Sequence, residues 1–339
     1  MSFPKINITF KGLANSAITR SEDGIVALVF TGTDSFIGTV ESATEAPEGT
    51  AEYVEMALLG ANKVIVSAGE TLDEALNALE LHKFNYVAAP LEGASTVATW
   101  VKGLRSNKSK RVKAVVANVA ADDEGVINFT TEGIKVGEKE YTAAQYTARI
   151  AGILAGTGAN ESITFKVLPE VDDLETRLTQ EEASAKIEAG ELVLYHDGEK
   201  VKIARGVNSL VTVAGDKSAE FKKIKLIDIM DMIYEDIKRT VEDDFIGKVR
   251  NTYANKLLLC NAINAYFEQL EAEEILEVKA NHCELDVDAI RVYLRNSGVN
   301  LDTLKPAEIK AYNTGDKVFI KAKISMIDSM EIIDFVIAI

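Results

Sequence analysis

Ile25-Val26-Ala27-Leu28-Val29-Phe30 is an unbroken apolar run between Gly24 and Thr31-Gly32. A strand with one wet face alternates apolar and polar residues, so a run without alternation must be covered on both faces. The same character returns in Lys63-Val64-Ile65-Val66-Ser67, Tyr86-Val87-Ala88-Ala89 and Val112-Lys113-Ala114-Val115-Val116-Ala117. Between these runs lie amphipathic stretches, Thr50 to Leu59, Thr71 to His82 and Ser95 to Arg105, each opened by Ser or Thr. Glu74, three residues after Thr71, completes a capping box. Strands that alternate with helices are joined by right-handed crossovers, and the fold class is therefore α/β, an α/β sandwich with a largely parallel sheet. Val126-Ile127-Asn128-Phe129 adds a further strand.

Outward from this region, Thr142 to Ala155 is rich in alanine and ends at Gly156, which reads as a helix. Gly152 and Gly156 lie four apart on one face and permit close backbone approach, as core packing rather than a membrane dimer contact. Glu191-Leu192-Val193-Leu194-Tyr195 and Lys200-Val201-Lys202-Ile203 flank His196-Asp197-Gly198-Glu199, a hairpin with Asp-Gly at its turn. From Ser218 the period changes. Phe221, Ile224, Ile227, Met230, Ile233, Ile237 and Val241 recur at three and four, and Leu259, Ile263, Tyr266 and Leu270 do the same within Tyr253 to Glu274. Asp286 to Asn296 is a third helix stopped by Gly298. Lys317 to Ile324 and Met330 to Ile339 read as strands, the last joining a small sheet beside the helices. The resulting division is an N-terminal arm at 1–23, an α/β domain at 24–206, a C-terminal α+β domain at 207–328 and an arm strand at 329–339.

Both ends are unusual. Ile6, Ile8 and Phe10 alternate with polar residues in Lys5 to Lys11, and Phe335, Ile337 and Ile339 do so in the last stretch. Burying these six side chains gains roughly 1.5–3 kcal/mol each, while ordering about twelve residues costs roughly 1–2 kcal/mol apiece. The terms nearly cancel, so hydrogen bonds to a neighbouring strand edge decide whether the arms order. The arms read as assembly devices, with pairing inside their own subunit as the alternative.

Composition excludes several classes. The 339 residues carry a formal charge of -16, which makes nucleic acid and anionic membrane poor partners. No apolar run approaches the roughly 18 residues that span a bilayer, and Met1 to Lys11 lacks the features of an export signal. Cys260 and Cys283 form no disulfide framework and read as reduced thiols in a cytoplasm. His82, His196 and His282 are too far apart for a zinc site, and no metal is expected. No Gly-x-Ser-x-Gly elbow occurs, and Phe30-Thr31-Gly32-Thr33-Asp34 lacks both glycine patterns that cradle phosphate, so neither catalytic residues nor a cofactor are expected.

An ordered series of segments carries a resemblance. Thr142-Ala143-Ala144-Gln145-Tyr146-Thr147-Ala148-Arg149-Ile150-Ala151-Gly152-Ile153-Leu154-Ala155-Gly156, Glu161 to Phe165, Ala189 to Leu194, Arg205 to Leu210, Phe245 to Asn251 and Asp328 to Phe335 resemble contractile phage tail sheath proteins. The short form of Gram-positive myophages, defective prophages and phage-tail-like bacteriocins is the most similar branch. The resemblance implies a structural subunit and no enzyme. Its copies would form hexameric discs in a helical sheath around a tail tube protein, exchange terminal strands, and contract on a baseplate trigger to drive the tube through a bacterial envelope. Baseplate and tail terminator proteins are the other implied partners. Assembly in the host cytoplasm, followed by residence in a phage tail or tail-like particle, is the implied location. Lys248, Arg250 and Lys256, in the C-terminal domain, are the tube-facing candidates. The alternatives are a nucleotide-binding α/β enzyme or another self-assembling lattice protein.

Overall fold

A computed structural model describes Ile18 and residues 24–32 and 35–337. In chain order the first part contains β1 (Ile25–Thr31), β2 (Phe36–Val40), α1 (Ala51–Leu58), β3 (Lys63–Gly69), α2 (Leu72–Leu79), β4 (Tyr86–Ala88) and α3 (Ala94–Asn107). It continues through β5 (Lys113–Ala117), β6 (Val126–Phe129), β7 (Ile134–Val136), β8 (Lys139–Tyr141), α4 (Ala143–Gly156) and β9 (Asp173–Leu174). Then follow α5 (Gln180–Glu188), β10 (Glu191–Leu192), β11 (Leu194–His196), β12 (Val201–Ile203) and α6 (Ile224–Thr240). The remainder is α7 (Tyr253–Ala272), β13 (His282–Leu285), α8 (Val287–Asn296), α9 (Pro306–Ala311) and β14 (Ile320–Lys323).

Seven strands form the central sheet in the order β10-β6-β5-β4-β1-β3-β2, parallel throughout except for β2, which runs antiparallel to β3. The apolar run of β1 is explained by its two faces. Val26, Leu28 and Phe30 enter one core with residues of α1 and α4, while Ile25, Ala27 and Val29 enter another with residues of α2 and α3. The mixed α/β class with a largely parallel sheet is therefore the observed one.

The helices begin where the capping residues place them. Thr71 and Thr142 each accept from the backbone three residues on, and Glu74 and Gln145 return the bond to the cap. Thr179 and Glu182 open α5 in the same way. Gly152 and Gly156 bring α4 against the end of α1: a Cβ on Gly152 would meet the Ala57 carbonyl, and one on Gly156 the Gly60 carbonyl, far inside contact distance. This pair is a core packing device, as its spacing indicated.

Three expectations need correction. The run 191–195 is not one hairpin strand. Its first half, β10, extends the large sheet beside β6, and after Val193 the chain passes to β11, paired with β12. Thr131 Oγ1 accepts from Leu194 N at 2.8 Å and the Val193 carbonyl accepts from Ala204 N at 2.9 Å, which fixes this change of sheet. Phe221 lies in a short 3-10 turn, and α6 ends at Thr240, before a single π turn at Val241–Phe245. Residues 331–337 form no strand, and β14 pairs instead with β13, a strand hidden in the polar-looking His282-Cys283-Glu284-Leu285.

Contact density divides the chain into two units. One holds the described residues of Glu22–Met232 and Asp328–Ile339, the other Ile233–Ile327 with Ile18. The division falls inside α6 rather than near Gly206 because a buried ionic cluster ties the first turns of α6 into the α/β unit. Asp231 accepts from Arg105 at 2.8 and 3.1 Å and from Lys113 at 2.9 Å. Asp228 pairs with Lys113 at 2.9 Å and accepts from the Tyr86 hydroxyl at 2.5 Å. Burial raises the Asp231 carboxyl, but Lys113 and Arg105 outweigh it and hold the group below its ordinary value.

In the other unit Leu259, Ile263, Tyr266 and Leu270 line the buried face of α7, and the Tyr266 hydroxyl donates to buried Asp236 at 2.7 Å. Asp286 caps α8, and Ile290 and Leu294 bury its inner face.

Candidate assembly surface

The C-terminal segment of the α/β unit is held at its base and open beyond it. Asp328 pairs with Lys223, and Lys225 Nζ donates to Ser329 Oγ at 3.0 Å. Glu331 is the deepest anchor: Thr164 Oγ1 donates to its Oε1 at 2.7 Å, with Ser162 Oγ at 3.2 Å. Arg205 Nε and Nη2 reach its Oε2 at 3.0 and 2.9 Å. Burial holds the Lys225 amine below its ordinary value despite Asp328 and Glu331 nearby.

After Glu331 the contacts cease to bury side chains. Ile332, Ile333, Phe335, Val336 and Ile337 are between 69 % and 90 % exposed. Isolated exposed apolar residues are ordinary, but a consecutive set is the signature of an interaction surface. Two of the expected arm residues, Phe335 and Ile337, belong to this set; Ile6, Ile8, Phe10 and Ile339 lie outside the described residues.

A second surface is the β13–β14 pair. Asn264 of α7 closes the outer edge of β13, its Nδ2 donating to the Cys283 carbonyl at 2.9 Å and its Oδ1 accepting from Cys283 N at 2.7 Å. Cys283 therefore turns its backbone groups away from β14. By the antiparallel alternation its opposite number Ala322, and Ile320 two residues before, turn theirs outward as well. Among the described residues no strand covers that edge of β14.

The tube-facing candidates separate. Lys248 and Arg250 lie in the exposed segment 246–250 after the π turn, where Ile246 is also exposed. Lys256 is corrected. It is buried, and its Nζ donates to Thr314 Oγ1 at 2.9 Å and to the Tyr312 carbonyl at 3.2 Å, with burial lowering its amine below the ordinary value. One turn of α7 rotates it inward to hold the 312–314 segment.

The loop after β1 leads into β2 instead of a helix, so no helix N-terminus is aimed at a phosphate there. His196 ends β11, paired with Val201, rather than standing in the turn, and its Nδ1 accepts from Gly198 N at 3.0 Å. Among the described residues no group of three or more His, Cys, Asp or Glu is arranged to hold a metal, and no helix is long and apolar enough to cross a membrane.

Comparison with known proteins agrees with this geometry. Residues 66–209 match the phage tail sheath protein central domain and residues 216–339 the phage tail sheath C-terminal domain. The tail sheath protein of Clostridium phage phiCD119 is 36 % identical over 345 residues, covering 96 % of each chain. The crystal structure of a sheath tail protein from Desulfitobacterium hafniense superposes with a TM-score of 0.70 at 19 % identity, covering 83 % of this chain and 94 % of that one. The sheath complex of an extracellular contractile injection system in its contracted state gives 0.71 at 12 % identity, covering 100 % and 98 %. These relatives are structural proteins rather than enzymes, and the chain is a structural subunit belonging to the phage tail sheath protein family.

Proposed function

We propose that copies of this chain polymerise as hexameric discs into a helical sleeve around an inner tube, and that the sleeve contracts to drive the tube through a bacterial envelope. The observation that carries this reading is the exposed apolar segment beyond Glu331 in a member of the sheath family. A segment with unpaired backbone and apolar side chains gains most by adding to another strand edge, and the open edge of β14 on a second copy offers one. The N-terminal arm, with Ile6, Ile8 and Phe10, and the last residue, Ile339, complete the exchange. Lys248 and Arg250 face the tube protein, and the ends of the sleeve meet baseplate and terminator proteins. Assembly takes place in the host cytoplasm and the product is a phage tail or tail-like particle. Head-to-tail contacts that do not close generate helical arrays, which fits a sleeve. Contraction is then rigid-body repacking between two arrangements.

Deleting Phe335 to Ile339 tests the reading. Phe335 and Ile337 are 80 % and 69 % exposed, so their loss leaves the subunit with its full thermal midpoint. Electron microscopy should show hollow tubes from the intact chain and none from the truncated one. Flat lattices from the intact chain, or unchanged tubes from the truncated one, would overturn it.

A further inference from the structure

We propose that Ser162, Thr164 and Arg205 form a preset carboxylate socket whose occupant, Glu331, fixes the point from which the C-terminal arm departs. This rests on the assembly reading above and adds a positioning residue to it.

The socket is built before the tail enters. Thr164 Oγ1 accepts from Gly206 N at 3.0 Å and Ser162 Oγ accepts from Thr164 N at 3.2 Å, so the backbone holds both hydroxyl oxygens in place. The Thr164 hydroxyl proton is then available to a carboxylate oxygen, while the single Ser162 proton is shared between Glu331 Oε1 and Thr164 Oγ1, 3.0 Å away. Arg205 supplies two N–H groups to the other oxygen, a charge-assisted contact that a neutral side chain would not reproduce. The Glu331 side chain is 11 % exposed, whereas Met330 before it and Ile332 after it are 92 % and 79 % exposed. One inward residue between two outward ones is a peg at a fixed station.

Without the peg the next anchor back is Ser329, on Lys225. Two further residues, Met330 and Glu331, then become mobile, and each must be ordered again when the arm joins a second copy. Ordering two residues again is costly, so the critical concentration for tube growth should rise at least about thirtyfold. The monomer should keep its thermal midpoint within about 3 °C, because the Arg205 partner is part-exposed.

The test compares the full chain with Glu331→Ala, reading critical concentration by sedimentation and tail order by backbone NMR relaxation. The proposal expects Glu331→Ala to raise the critical concentration and to move the boundary of ordered backbone back to Ser329. Tubes from Glu331→Ala at the normal concentration, or an unmoved boundary, would overturn it. If the intact chain formed no tubes, the assembly reading would fall while the boundary of ordered backbone still decided the socket. Should Glu331→Ala unfold, Glu331→Gln takes its place, and unfolding of both would make Glu331 a core residue and end the proposal.

Discussion

Replacing Asp231 by Leu should be the most damaging single change in the α/β unit. Asp231 is 6 % exposed and takes three hydrogen bonds from two cations, Arg105 at 9 % and Lys113 at 4 % exposure. Lys113 keeps Asp228, but Arg105 loses its ion pair and keeps the Val112 carbonyl at 3.2 Å with Glu124 and Asp123 near it. Removing one partner of a buried pair costs about 3–5 kcal/mol because the other charge stays buried. At roughly 2–4 °C per kcal/mol for units of this size, the midpoint should fall by about 6–20 °C. The double variant R105M/D231L removes both charges and leaves Lys113 with Asp228. It should recover at least half the loss, since apolar replacement of a whole buried pair is often neutral. The Asp231 carboxyl is held below its ordinary value, so its stabilisation is complete above the usual carboxylate range and disappears as pH falls through the folded-state value. The gap between wild type and D231L should accordingly narrow in acid. Thermal and urea unfolding followed by circular dichroism measure all three chains. A cost under about 1 kcal/mol for D231L, or a double variant no better than the single, would refute the latch.

Four further outcomes follow. Gly152→Ala or Gly156→Ala should destabilise by about 1–3 kcal/mol through overpacking against α1. Gly103→Ala on α3, where the new methyl meets nothing within 4 Å, should stabilise by about 0.5–1 kcal/mol in the same thermal melts. Asp122 accepts from Thr212 N and Val211 N at 2.8 and 2.7 Å, and these bonds lower its carboxyl to about 2. Amide protection at Val211 and Thr212 should therefore be full above the ordinary Asp range, fade as pH falls towards 2, and be absent at every pH in Asp122→Ala. With a formal charge of -16 per chain, raising salt from 0.1 to 1 M shortens the Debye length from about 10 to 3 Å and should lower the critical concentration for tubes. Light scattering that shows no salt dependence would remove charge repulsion from the account.

The doubly covered strands were legible because a continuous apolar run bounded by turn residues is stable only between two layers, and the threonine caps placed the starts of α2 and α4 to within a residue. β2 escaped notice because Gly38 interrupts a short edge strand whose outer face is half open. β13 was hidden because its only apolar inward positions are Cys283 and Leu285, and its strand character comes from pairing with β14 far along the chain. The apolar stripe of α6 said nothing of Asp228 and Asp231. Their place between Ile227, Ile229 and Met232 was the signal that this face is buried, but their partners Tyr86, Arg105 and Lys113 are remote in sequence. The family resemblance reached the tail segment Asp328 to Phe335, yet the Glu331 socket joins positions 167 and 169 residues apart, and no local pattern encodes that. Lys256 was misplaced for the opposite reason: a lysine in an amphipathic helix ordinarily faces water, and here a carbonyl and a hydroxyl inside the unit bind it.

The side-chain amide of Asn264 occupies the backbone groups of Cys283 much as another strand would, and it does so on one margin of the pair only. A ribbon with one margin plugged can lengthen laterally in a single direction. Uncontrolled stacking of strands, the hazard that faces any protein displaying bare β-structure, is thereby halved at its source.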